Sequence, residues 1–133
     1  MKLTERLEVA RGDKPADLLL KNLQLVNVFT GEIYPTEIAI SSSHILGVGM
    51  GYEAHETIDL GGRYVAPGLI DAHVHVESSL CTPPNFSTAV LPHGVTTAIT
   101  DPHEIANVHG LDGIRYMTES AKYGHLSVYV MAS

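Results

Sequence analysis

Val65-Ala66-Pro67-Gly68-Leu69-Ile70-Asp71-Ala72-His73-Val74-His75-Val76-Glu77 is the stretch on which the fold turns. Pro67-Gly68 punctuates the chain, and an apolar run from Leu69 to Val76 follows that is too short for a helix and reads as a buried strand. Side chains alternate faces along a strand, so His73 and His75 project to one side, with Asp71 and Glu77 sharing their parity. Two imidazoles so placed can reach one metal ion. On that reading Asp71 lies deeper and orients a ligand, while Glu77 lies where the strand ends. A His-x-His pair alone is weak evidence. This one closes an apolar strand, where α/β folds gather ligand sites, and burying two rings on one face without a metal leaves ring nitrogens needing partners.

Downstream, the texture stays that of strands alternating with helices. Pro83 to Pro92 has helical spacing at Phe86, Ala89 and Val90, with Thr82 as a candidate N-cap and proline in the first turn. Val95 to Ile99 is a second strand, Leu111 to Tyr123 a helix stopped by Gly124, and Ser127 to Met131 a third strand. Strand, helix, strand, helix, strand opens a parallel α/β architecture. After the second strand comes Thr100-Asp101-Pro102-His103-Glu104. If the strands are parallel neighbours, this cluster shares a rim with His73 and His75. His103 then binds metal or substrate and Glu104 handles protons. The competing reading has Asp101 capping a short helix and His103 merely exposed, and the residues alone leave both open.

Upstream, residues 1–15 carry a short amphipathic helix through Leu3, Leu7 and Ala10. Residues 16–66 are short β-prone runs broken by Asn22, Thr30-Gly31 and Ser41-Ser42-Ser43, which predicts hairpins in a small antiparallel sheet or sandwich. Residues 67–133 form the third segment.

Bulk properties narrow the function. With 8 Lys+Arg against 15 Asp+Glu, the net charge of -7 disfavours nucleic acid and anionic membrane surfaces as partners. The single cysteine, Cys81, rules out an intrachain disulfide and reads as a small buried hydrophobe. No apolar run approaches the ~20 residues of a membrane span. Met1 to Arg6 has no apolar leader core, so a cytoplasmic location is expected. Arg115 and Glu119, four apart on a helix, read as a solvated pair.

Val65 to His75 resembles the signature of the amidohydrolase superfamily. The longer runs are similar to its adenine deaminases: His73-Val74-His75-Val76-Glu77-Ser78-Ser79, Leu91-Pro92-His93-Gly94-Val95-Thr96-Thr97, Asp101-Pro102-His103-Glu104-Ile105-Ala106-Asn107 and Gly110-Leu111-Asp112-Gly113-Ile114-Arg115-Tyr116-Met117. The resemblance implies a small β-sandwich segment followed by the first β/α units of a TIM-like (β/α)8 barrel. It implies hydrolysis of adenine to hypoxanthine and ammonia with one or two divalent metals (manganese, iron or zinc), and a homodimeric full-length protein. His73 and His75 match the metal ligands; Glu77 and Glu104 are candidate catalytic groups, and Asp101 and His103 candidate substrate-binding or supporting groups. A complete barrel needs about 250 residues, far more than follow Gly68 in a 133-residue chain. The expectation is therefore an incomplete barrel in a fragment with little activity of its own. Two other functions stay open: hydrolysis of another cyclic amide, dihydroorotase-like or imidazolonepropionase-like, and a non-catalytic metal-binding or structural module.

Overall fold

The computed structural model describes residues 1–131, and these divide into two compact units meeting between Pro67 and Gly68. The architecture is mixed α/β.

The first unit holds helix α1 (Leu3–Ala10) and strands β1 (Ala16–Asn27), β2 (Glu32–Ser41), β3 (His44–Val48) and β4 (Ala54–Val65) in one sheet of order β3-β2-β1-β4. Val9 of α1 is buried with Ala16, Leu19 and Ala39, and Tyr52 donates its hydroxyl to the Ala10 carbonyl at 3.1 Å. Pairing is antiparallel for β1–β2 and β2–β3, but β4 runs parallel to β1. An antiparallel sheet throughout is thus corrected. Alternation specifies which face a residue takes and is silent on strand direction. Asn22, which reads as a turn between strands, lies inside β1 at φ 54, where the register with both neighbours shifts. A short polar side chain tolerates this left-handed conformation, so the residue makes a bulge and the strand continues. Asn22 Nδ2 and the Gly61 amide both donate to Asp59 Oδ1, at 3.0 and 2.9 Å, which joins β1 to β4 at the bulge and holds the Asp59 carboxyl below its ordinary value of 3.8.

The second unit is a parallel sheet of order β5-β6-β7, made of β5 (Leu69–Val74), β6 (Val95–Thr100) and β7 (Ser127–Val130). Helix α2 (Pro83–Val90) links the first pair and α3 (His103–Ala121) the second. Val76, Phe86, Ala98, Met117 and Leu126 form the buried core, with Cys81 packed against it. Thr82 does sit at the N-cap of α2, but its side chain makes no capping bond. Ser87, buried on α2, accepts the amides of His125 and Leu126 at 3.1 and 3.0 Å and so sets the entry into β7. Helix α3 begins eight residues before the expected Leu111 and bends at Gly110 (φ 59, ψ -146), a conformation open to glycine because it has no Cβ. Arg115 pairs with Asp112 at 2.7 Å and Glu119 with Lys122, so the expected Arg115–Glu119 contact is replaced by two exposed i,i+3 pairs.

Strand β5 stops at Val74, two residues before the expected end. Val76 adopts helical dihedrals and starts a 3₁₀ turn over Glu77–Ser79. Ser79 closes that turn by donating its amide and its hydroxyl to the Val76 carbonyl, at 3.1 and 2.6 Å. His75 and Glu77 therefore do not share a strand face with His73.

Candidate active site

Val74 pairs with Thr100, and the Asp101 amide donates to the Val74 carbonyl at 3.1 Å. This register brings the ends of β5 and β6 together, so residues 73–78 and 101–105 meet on one rim. That is the carboxyl end of a parallel sheet, where α/β folds place their ligand sites.

The two histidines converge without sharing a strand. Their Nε2 atoms stand 3.2 Å apart, with ring centroids at 4.9 Å and planes 81° apart. His75 Nδ1 lies 2.7 Å from the main-chain carbonyl of Asp101. A carbonyl only accepts, so Nδ1 carries the proton and donates. In the neutral ring this leaves a lone pair on Nε2, the nitrogen that faces His73. The Asp101 carboxylate reaches His103 Nδ1 at 3.2 Å, and the His103 ring packs edge-on against His75 with centroids 4.7 Å apart. Asp101 thus organises two imidazoles, one through its main chain and one through its side chain. Ligand atoms of His73, His75 and Asp101 all lie within 4.8 Å of one another, as do those of His75, His103 and Glu104.

The carboxylates divide by environment. Glu104 is exposed, and its Oε1 accepts the Ser78 hydroxyl at 2.6 Å. Glu77 is half-buried, and its Oε1 accepts the Ile105 amide at 3.3 Å, in the first turn of α3. Asp71, read as orienting a ligand, accepts the main-chain amide of His73 at 3.2 Å. Beside His103 opens a cleft of about 520 Å³, lined also by Asn107, Leu111, Ile114 and Met131. Nothing in the local sequence pattern gives Ser78 or Asn107 a role. Ser78 owes its importance to a partner 26 residues away, and only its place in the Glu77-Ser78-Ser79 motif marked it out.

The description "Amidohydrolase family" matches residues 64–133, which include both halves of this rim. The chain belongs to the amidohydrolase family. Among this amidohydrolase's relatives, an adenine deaminase of Kosmotoga olearia is 53% identical over 131 residues, covering 98% of this chain and 23% of the relative. An adenine deaminase of Listeria welshimeri is 51% identical over 97% of this chain and 22% of its own length. Adenine deaminase 2 of Carboxydothermus hydrogenoformans is 50% identical with the same coverage. This amidohydrolase chain therefore spans a little under a quarter of the curated relatives it matches. Among solved structures, a D-aminoacylase mutant in complex with CuCl2 superposes with a TM-score of 0.63 at 20% identity, covering 90% of this chain and 30% of that one. N-acyl-D-glutamate deacylase of Bordetella bronchiseptica, complexed with zinc and a phosphonate inhibitor, gives 0.50 at 19% identity over 65% of this chain and 19% of that one. At such identities the two structures speak for the fold alone. No helix among the described residues is long and apolar enough to cross a membrane.

Proposed function

We propose that this chain supplies the first part of the active site of an adenine deaminase, hydrolysing adenine to hypoxanthine and ammonia with a divalent metal. The half-identity to adenine deaminases over nearly the whole chain supports the substrate. The convergence of the two Nε2 atoms carries the metal chemistry. Imidazole nitrogens bound at roughly 2.0–2.1 Å to one ion, at angles between a right angle and the tetrahedral value, stand about 2.8–3.4 Å apart. The observed 3.2 Å fits, and the carbonyl of Asp101 leaves His75 with its lone pair on the facing nitrogen. This is the supporting contact that ligating histidines use to fix their tautomer. His73 and His75 would hold a manganese, iron or zinc ion, with the Asp101 carboxylate beside them. When bound, such an ion supplies Lewis acidity, which lowers the pKa of a water molecule towards roughly 7.

The chain's own residues then do the rest. Glu104, exposed on the rim, moves protons. His103, paired with Asp101, faces the cleft that receives substrate and donates to the departing amine. Adenine and one water balance against hypoxanthine and ammonia. The three β/α strands are the opening of an eight-fold barrel and the N-terminal sheet is part of a small sandwich, in a cytoplasmic homodimer.

The test is turnover by the protein expressed from its complete reading frame, stripped of metal and reloaded with Mn²⁺, Fe²⁺ or Zn²⁺. A companion chimaera places this chain in the matching 131 residues of the Kosmotoga olearia enzyme. Adenine should be consumed with one equivalent of ammonia, and His73→Ala should abolish both turnover and bound metal. Hydrolysis of a cyclic amide with adenine untouched would transfer the site to another substrate class. Metal retained without turnover in either protein would make it a binding module.

A further inference from the structure

The 3₁₀ turn after β5 is fastened to the first turn of α3 by two side-chain contacts that run in opposite directions. Glu77 reaches across to accept the Ile105 amide, and Glu104 reaches back to accept the Ser78 hydroxyl. We propose that Ser78 is a positioning residue that holds Glu104 in its working orientation, while Glu77 anchors the start of α3 and takes no part in proton transfer. This rests on the reading of the rim as a hydrolytic site.

The need for Glu77 follows from how α3 begins. A helix start leaves amides without intrahelical partners, and these are ordinarily satisfied by the side chain of the N-cap residue. Here the N-cap is Pro102, which makes no side-chain cap. Glu77 supplies the missing acceptor from another element, with its negative charge at the favourable end of the helix dipole. Its second oxygen, Oε2, is fully enclosed and has no hydrogen-bond partner among the described residues. One oxygen of Glu77 is thus committed to the start of α3 and the other is enclosed beside it.

Glu104 is placed differently. It is exposed, and its carboxylate lies within ligand distance of His75 and His103. A glutamate on a helix surface samples several rotamers, so its efficiency in proton transfer depends on being held. Ser78 can hold it because its own backbone is pinned. Val76, 1% exposed, roots the turn in the core, the Ser79 contacts close it, and Leu80 ends it in the left-handed region at φ 57, donating its amide to the Glu77 carbonyl at 3.0 Å. Leu80 is 96% exposed, so the turn's own main-chain bonds hold it in that conformation. The short Ser78–Glu104 contact thus joins a rigid donor to a mobile acceptor.

The experiment compares Ser78→Ala, Ser78→Thr, Glu77→Gln, Glu77→Ala and Glu104→Gln in the protein expressed from its complete reading frame. It follows adenine kinetics, bound metal, thermal midpoint and amide exchange at Ile105. Ser78→Ala should lower kcat about tenfold with KM, metal content and midpoint unchanged, as expected for loss of alignment alone. Ser78→Thr should restore the rate. Glu77→Gln, which keeps an acceptor oxygen, should turn over at near the parent rate and keep Ile105 protected, whereas Glu77→Ala should speed exchange there. Parent kinetics in Ser78→Ala, a Ser78→Thr no better than Ser78→Ala, metal loss with Ser78→Ala, or Glu77→Gln as inactive as Glu104→Gln would overturn the proposal. If the parent protein leaves adenine untouched, the functional reading fails by itself. The clasp is then decided by whether Ser78→Ala shifts the Glu104 side-chain carboxyl resonance and Glu77→Ala unprotects Ile105; if neither happens, it too is wrong.

Discussion

A Cβ on Gly113 would lie 2.8 Å from the carbonyl oxygen of Ile105, eight residues earlier in the same helix. Such an approach is foreign to a straight helix and arises because α3 bends at Gly110. In an ordinary helix, Gly113→Ala would stabilise by up to about 1 kcal/mol through propensity. Here the obstacle is backbone, so the substitution should destabilise by about 1–3 kcal/mol, the usual cost of overpacking. Thermal melts of Gly113→Ala against the parent decide it; an increased midpoint would mean that the helix does not bend so closely.

Thr100 makes the opposite prediction. It is 1% exposed at the end of β6, and its hydroxyl has no hydrogen-bond partner among the described residues. It has the parity of Ala98, which lies in the core with Phe86 and Met117. A buried hydroxyl left unpaired forfeits its hydration, so Thr100→Val, of the same shape, should gain about 1 kcal/mol. Denaturant unfolding measures this, and a loss of stability would reveal a partner for the hydroxyl.

Metal should stabilise the second unit, since an ion that binds the folded rim and not the unfolded chain adds its binding free energy to folding. At a hundredfold excess over Kd the gain is about 2.7 kcal/mol. Calorimetric scans with and without Mn²⁺ or Zn²⁺ should show the midpoint rise, and His73→Ala or His75→Ala should cancel it. A rise that persists in both variants would place the ion elsewhere.

Asp59 gives a pH signature in the first unit. The Gly61 amide and then the Asn22 side chain hold its carboxyl below 3.8. A depressed folded value means that its contribution is fully present above the unfolded pKa and is lost as pH falls through the folded one. Carboxyl NMR titration of Asn22→Ala should show Asp59 rising only part of the way towards 3.8, because the larger contributor, the Gly61 amide, remains. An unchanged titration would dismiss the Asn22 contact.

These features differ in how far the sequence discloses them. The His-x-His pair and the strands β5, β6 and β7 follow from local apolar runs, and local patterns survive into the fold when burial agrees with them. The end of β5 does not: Val76 suits a buried strand and a buried turn equally well, and the Ser79 contacts choose the turn. The sequence pattern starts this helix at Leu111, yet α3 begins at His103 and crosses Gly110 with a bend, although glycine inside a helix carries a cost. The parallel β1–β4 pairing and the Ser78–Glu104 contact join segments far apart in sequence, and no local pattern encodes such partners.

The contact between His75 and the Asp101 carbonyl has a consequence for variation. The oxygen that fixes the imidazole belongs to the main chain, so no codon change at position 101 deletes it. Substitutions there can retune the charge beside His103 while the proton on His75 stays where the path of the backbone puts it. The rim thereby separates what drift may alter from what only a change in the course of the polypeptide could remove, and a library at position 101 would explore reactivity with the geometry of His75 held constant.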